Sequence, residues 1–92
     1  MDYKNATISH KANVYHGGKV SSRSVITADG DMKTLGFMLP GSYHFSTVAA
    51  EVMEVVQGRC RVKQANEQDW GSYEAGDSFN VPAQSHFEVE VD

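Results

Sequence analysis

Apolar and polar side chains alternate over short stretches of this chain, and Gly, Pro, Asp and Asn interrupt the stretches roughly every eight to twelve residues. Such alternation is typical of strands with one buried face, and the regular interruptions are typical of an all-β sandwich or barrel. Residues 1–12 are polar and weakly patterned, so we expect a flexible N-terminal arm before a single domain over residues 13–92. The predicted strands are 13–15, 19–28, 33–39, 42–47, one that begins near residue 51, 60–64, 70–73, 79–81 and 87–91.

The last predicted strand indicates which side chains face the core. Phe87, Val89 and Val91 occupy alternate positions, and His86, Glu88 and Glu90 lie between them. Because successive side chains of a strand point to opposite faces, the apolar set is expected inside and the polar set outside. Phe87 is therefore predicted to be a core residue.

Residues 48–57 fit two alternatives. Their composition would also suit a helix, and a strand here would be partly apolar on both faces. The spacing from Glu51 to Gly58, a recurrent feature of one barrel family described below, favours a strand that begins near Glu51. That strand would point the Glu51 carboxylate into the barrel.

Composition excludes several classes of protein. The chain has 92 residues and a net charge of -4, with only eight Lys and Arg, so it lacks the clustered cations that a nucleic-acid backbone requires. Cys60 is the one cysteine, which rules out an internal disulfide and suits a reducing compartment. No apolar run resembles a signal peptide or a membrane span. The cytoplasm is the expected location. Cys60 is a nucleophile candidate between two arginines, or a small residue that packs inward.

Two groups of residues resemble the paired motifs of the cupin family. His44, Ser46, Glu51 and Gly58 take the His, His, Glu and Gly places of the first motif, and Gly76, Pro82, Gln84 and Phe87 take the Gly, Pro, Gly and His places of the second. The resemblance implies a cupin-type β-barrel with jelly-roll connectivity. Two of the four metal-ligand positions are lost, because Ser46 is a poor ligand and Phe87 cannot bind a metal. We therefore expect no metal.

Nearly the whole chain also resembles one family of short cupins, the pyrimidine/purine nucleoside phosphorylases. The matching segments include Asn13-Val14-Tyr15, Ala28-Asp29-Gly30, Lys33-Thr34-Leu35-Gly36, Met38-Leu39-Pro40-Gly41, Glu51-Val52-Met53-Glu54-Val55 and Val81-Pro82-Ala83. The resemblance implies a pentosyltransferase that converts many nucleosides and inorganic phosphate to free base and pentose 1-phosphate. It also implies a homodimer with no cofactor. Members of the family continue past the position of Asp92 with a closing strand, so we expect that strand to be missing here.

The expected reaction suggests roles for seven residues. Arg23 is the first candidate for phosphate, because its guanidinium binds pairs of oxygens in fixed geometry. Lys33 could add a second positive charge or face solvent. Glu51 could bind ribose hydroxyls, act as a general acid or serve a structural role. The remaining candidates are substrate-binding residues that would otherwise belong to turns or to the core: the hydroxyls of Thr47 and Ser85, and the base-stacking rings of Phe45 and Phe87.

Three functions are compatible with these residues. The first hypothesis is a metal-independent, broad-specificity nucleoside phosphorylase. The second is a non-catalytic cupin that binds a small sugar or a nucleotide. The third is a metal-dependent enzyme that would use His44, Glu51 and an N-terminal histidine. No nucleic acid or membrane is expected as a partner.

Overall fold

Residues 2–92, which the computed structural model describes, form β-strands joined by turns, with one turn of 3-10 helix at His16–Gly18. The strands are β1 Thr7–Ile8, β2 Asn13–Tyr15, β3 Val20–Ile26, β4 Met32–Met38, β5 Gly41–Ser46, β6 Glu51–Glu54, β7 Arg59–Gln64, β8 Gly71–Glu74, β9 Ser78–Val81 and β10 His86–Val91. The all-β prediction is confirmed, and so is a strand at Glu51. The chain divides into two compact units, one up to Leu39 and one over residues 40–92. Within residues 2–92 no helix has the length and apolar character needed to cross a membrane.

Strand β3 organises the first unit. It pairs antiparallel with β4 along one edge, and with both β1 and β2 along the other. A tight turn joins β3 to β4: the Thr27 N–H donates to the Asp31 carbonyl oxygen over 2.8 Å, and Gly30 has a φ of 93°. Glycine adopts such a positive φ at no steric cost, which explains its place in this turn. The Thr27 hydroxyl hydrogen-bonds to Asp29 and lowers the pKa of the Asp29 carboxyl.

The N-terminal segment contains a short strand. Thr7–Ile8 pairs with Ile26 and Val25 of β3, so the absence of a strand before residue 13 was a wrong prediction. Two residues give too short a pattern to detect from sequence, yet both are β-branched and suit a strand. The free edge of β3 supplies the hydrogen-bond partners. Flexibility of the arm stays a prediction.

The second unit contains a four-stranded sheet in the order β5-β10-β7-β8 and a separate two-stranded sheet of β6 and β9, the β6–β9 sheet. The chain changes from the four-stranded sheet to the β6–β9 sheet after β5 and β8, and returns after β6 and β9. Connections that cross repeatedly between two layers are typical of a jelly roll. Closure into a barrel, and a missing closing strand, stay predictions.

The core of the second unit lies on the face of the sheet that carries Phe87. The buried side chains there are Tyr43, Val62, Phe87 and Val89 from the four-stranded sheet, with Phe79 and Val81 from the β6–β9 sheet. Phe79 meets Phe87 edge to face at 6.1 Å between ring centroids, and it lies 4.8 Å from Tyr73. Phe87 is 3% exposed, which confirms its predicted inward position.

We expect Val62→Ala to lower the free energy of unfolding by about 2–3 kcal/mol, because Val62 is 1% exposed and its loss removes two buried carbons and leaves a cavity. Val52→Ala is the matched control, since Val52 is 67% exposed on the β6–β9 sheet, and it should change the free energy of unfolding by less than about 0.5 kcal/mol. Urea unfolding of both variants gives the comparison. Equal losses would contradict the assignment of this core.

Candidate functional site

A cleft of about 400 Å³ opens in the second unit between the β6–β9 sheet and the end of β7. Its apolar lining comes from Ala50, Val52, Val81 and Pro82, and its polar lining comes from Glu51, Gln64 and Asn80. An apolar surface with a few polar groups is the usual character of a small-molecule site. No lysine, arginine or histidine is among the lining residues.

Glu51 lies at the first position of β6, opposite Val81 of β9. Directly paired residues of antiparallel strands point to the same face, so Glu51 shares the inward-facing side of the β6–β9 sheet with Val81 and Phe79. Unlike those two, Glu51 is exposed, because it lies at the open end of the interior. Among residues 2–92 its carboxylate has no hydrogen bond and no ion pair. Two acceptor oxygens are therefore available to a ligand.

Gln64 is a site residue that the sequence reasoning did not identify. It follows Val62 by two positions on β7 and pairs with Phe87, so it occupies an inward position of the sheet. Its side-chain Nε2 donates to the Asn80 carbonyl oxygen over 2.7 Å and joins the four-stranded sheet to the β6–β9 sheet. The signal in the sequence was an amide where the alternation of Cys60 and Val62 calls for an apolar residue.

Thr47 and Ser85 are neighbours, and the Thr47 hydroxyl is occupied. Its Oγ1 donates to the Pro82 carbonyl oxygen over 2.7 Å and accepts from the Ser85 N–H over 3.0 Å. Thr47 is 6% exposed. These bonds tie the end of β5 to the turn at residues 82–85, where Gln84 takes the left-handed φ of 52° that suits the cupin glycine. A role for either hydroxyl in binding substrate stays a prediction.

Phe45 and Phe87 pack against each other inside the second unit. Their ring centroids are 5.5 Å apart, on directly paired positions of β5 and β10. Phe79 covers a further part of Phe87. The Phe87 ring is thus occupied by core contacts in this structure, whereas Phe45 is partly exposed. Stacking of a base on either ring stays a prediction.

Arg23 and Lys33 belong to the first unit. Arg23 pairs with Leu35, and Lys33 pairs with Val25, so the two cations occupy diagonal positions on one face of the β3–β4 hairpin. Both are exposed. The Arg23 guanidinium donates to the carbonyl oxygens of Ser9 and His10, which holds the segment after β1. These bonds use one guanidinium nitrogen, Nη1, and the role of Arg23 in binding phosphate stays a prediction.

His44 lies on the outer face of the sheet. Tyr43 and Phe45 take the inward positions on either side of it, and His44 is exposed and stacks on His86 with 5.3 Å between ring centroids. In the part of the chain that the structure describes, no three His, Cys, Asp or Glu side chains are grouped so that they could hold a metal ion. Metal independence stays a prediction.

Cys60 is partly buried on β7. Burial raises the pKa of its thiol, because desolvation disfavours the thiolate. A raised pKa decreases the fraction of the reactive form at neutral pH. This environment favours the packing role over the nucleophilic role for Cys60.

We expect Thr47→Val to lower the free energy of unfolding by about 1–3 kcal/mol, because it keeps the shape of the side chain but leaves the Ser85 N–H without its acceptor. Thr34→Val is the control, since Thr34 is an exposed strand residue on β4. Thermal unfolding of the two variants measures the difference. An unchanged stability of Thr47→Val would show that these hydrogen bonds do not hold the turn.

Comparison with known proteins gives one consistent family. The family model described as pyrimidine/purine nucleoside phosphorylase matches residues 10–92. A protein of that name from Syntrophotalea carbinolica is 51% identical over 90 residues, which are 98% of this chain and 86% of the relative. Another of the same name from Hydrogenovibrio crunogenus is 53% identical over 89 residues, 97% of this chain and 86% of the relative.

Solved structures give the same fold. A crystal structure of a protein of unknown function from Acinetobacter sp. ADP1 superposes with a TM-score of 0.94 at 41% identity, over 99% of this chain and 89% of that one. A protein of unknown function from Vibrio parahaemolyticus gives a TM-score of 0.84 at 42% identity, over 94% of this chain and 88% of that one.

Proposed function

Because the chain belongs to the pyrimidine/purine nucleoside phosphorylase family, we propose that it catalyses phosphorolysis of purine and pyrimidine nucleosides. In this reaction a phosphate oxygen forms a bond to C1′ of the sugar while the bond from C1′ to the base nitrogen breaks. The electron pair of the broken bond leaves with the base. The products are free base and pentose 1-phosphate, which makes the protein a pentosyltransferase.

The carboxylate of Glu51 has no hydrogen bond or ion pair with residues 2–92 and lies at the mouth of the cleft, and this observation supports the proposal beyond the family name. Sugar hydroxyls are hydrogen-bond donors, and an ionised carboxylate binds donors about twice as strongly as a neutral acceptor does. The apolar lining from Val52, Val81 and Pro82 suits the flat face of a base. A cleft of this composition supports binding of a nucleoside.

Binding of phosphate needs positive charge. We propose Arg23 for this role because its guanidinium binds pairs of oxygens, with Lys33 as a second cation on the same face of the β3–β4 hairpin. The Thr47 and Ser85 hydroxyls, and the rings of Phe45 and Phe87, remain candidates for further substrate contacts. Inorganic phosphate is the co-substrate, and the proposed reaction needs no metal or other cofactor.

We also propose a homodimer. Val14, Leu35 and Phe37 lie on the face of the first unit's sheet that also carries Arg23 and Lys33, and they are 62%, 43% and 59% exposed. Exposed apolar side chains grouped on one surface are typical of a protein–protein contact, and a second copy is the partner that the family resemblance implies. A cytoplasmic location stays a prediction.

The direct test is incubation of the purified protein with inorganic phosphate and uridine or adenosine, followed by chromatography of the products. We expect free base and pentose 1-phosphate in equal amounts, no reaction without phosphate, and an unchanged rate in EDTA. Failure of the well-folded protein to release base from any of several nucleosides would overturn the proposal. Binding of nucleoside without turnover would favour the alternative, a non-catalytic protein that binds a small sugar or a nucleotide.

Arg23→Gln should raise the KM for phosphate by roughly tenfold or more, because a charged hydrogen-bond donor to an anion is lost. The control is Arg59→Gln, since Arg59 is a solvated arginine whose partner is Asp92 at 3.6 Å. Arg23 also binds the Ser9 and His10 carbonyl oxygens, so unfolding must be measured on the same samples. Lower stability with an unchanged KM for phosphate would leave Arg23 a purely structural residue.

A further inference from the structure

We propose that Gln64 is a ribose-binding residue that works with Glu51, so that the cleft selects ribonucleosides over 2′-deoxyribonucleosides. This inference rests on the proposed function, because it specifies which nucleosides the same site prefers. It assigns a binding role to a residue outside both cupin motifs.

The position of Gln64 is unusual for a core-facing residue. The preceding inward residue, Val62, is 1% exposed, and the paired residue, Phe87, is 3% exposed. Gln64 ends this apolar row with an amide at the open end of the interior. Glu51 likewise places a polar group at the open end of the β6–β9 sheet, where the buried residues Phe79 and Val81 share its face. Each layer thus contributes one polar side chain to the cleft.

The hydrogen bond from Gln64 fixes which of its atoms a ligand meets. Nε2 donates to the Asn80 carbonyl oxygen over 2.7 Å, and this bond orients the amide group. Among the described residues the amide oxygen Oε1 has no donor. The amide oxygen is a hydrogen-bond acceptor that the bond to Asn80 does not use, so it is available to a ligand hydroxyl.

The cleft therefore offers mainly hydrogen-bond acceptors. Glu51 contributes two carboxylate oxygens and Gln64 one amide oxygen, and within residues 2–92 no lysine, arginine or histidine lines the cleft. A group with adjacent hydroxyl donors would be bound here. The 2′ and 3′ hydroxyls of ribose are such a group. A 2′-deoxyribose presents only one of the two donors.

The expected selectivity is moderate. A fully enclosed site that must hydrogen-bond a hydroxyl rejects the analogue without it by about 10⁴-fold or more, because its polar groups are left unpaired. This cleft is open to solvent at Glu51, so water can replace the missing hydroxyl. We expect a preference for ribose of roughly ten- to a hundredfold in kcat/KM, as the loss of one hydrogen bond to a charged group implies.

The test compares uridine with 2′-deoxyuridine as substrates of the full chain. The wild-type protein should prefer uridine, and Gln64→Met, which keeps the length of the side chain but has no amide, should lose most of that preference through a higher KM for uridine. Gln68→Met in the exposed loop after β7 is the matched control and should keep it. Glu51→Gln should also lose it, and this variant breaks no hydrogen bond or ion pair within residues 2–92, so it decides the question if Gln64→Met does not fold.

An equal kcat/KM for the two substrates of the wild-type protein would overturn the inference, as would an unchanged preference in folded Gln64→Met. If no nucleoside is cleaved at all, the proposed function fails, and calorimetric binding of methyl β-D-ribofuranoside and its 2-deoxy analogue then tests the sugar site separately. Preferential binding of the ribofuranoside, weakened by Gln64→Met, would uphold the site without the reaction. Equal or absent binding of both sugars would reject it.

Discussion

The contact between Phe79 and Phe87 holds the two layers of the second unit together, and the candidate site depends on it. Phe79 lies on the β6–β9 sheet and Phe87 on the four-stranded sheet, with 6.1 Å between the ring centroids. Aromatic pairs in this edge-to-face geometry contribute about 0.5–1.5 kcal/mol beyond the area they bury. With the two sheets at this distance, the end of β7 lies beside the β6–β9 sheet, and Gln64 hydrogen-bonds to the Asn80 carbonyl oxygen.

The same strand geometry explains both the loss of metal ligands and the character of the site that remains. Phe87 fills the interior where a metal-binding cupin has a histidine, and His44 lies on the outer face because Tyr43 and Phe45 occupy the inward positions. The open end of the interior is polar, through Glu51 and Gln64. Within residues 2–92 the lining of the resulting cleft has acceptors and apolar surface but no cationic side chain, which suits a nucleoside.

The sequence predicts strands well because most of them show a period of two between clear turn residues. Phe87 is an example: its inward position follows directly from the alternation in β10. Thr7–Ile8 could not be found, because two residues carry no period and their pairing depends on the edge of β3. Gln64 was missed for another reason. A polar residue at the end of a strand normally marks solvent, and only the register with Phe87 and the bond to Asn80 reveal that it faces the interior.

Roles for residues are harder to predict than positions, because a side chain can serve the fold and the ligand with the same atoms. Thr47 has the hydroxyl that a substrate site could use, yet that hydroxyl binds the turn at residues 82–85. Arg23 likewise binds two backbone carbonyl oxygens with one nitrogen of its guanidinium. Glu51 differs from both, since its carboxylate has no partner within residues 2–92. That free carboxylate makes the cleft the place to look for the ligand.

Binding of a nucleoside in the cleft between the β6–β9 sheet and the end of β7 is tested most directly by an NMR titration of the ¹⁵N-labelled protein with uridine in phosphate-free buffer. We expect saturable shifts of the Gln64 side-chain amide and of the backbone amides of Val52 and Val81, with the outer face at His44 and His86 unchanged. Shifts confined to the outer face of the sheet, or no shifts at millimolar uridine, would contradict the claim.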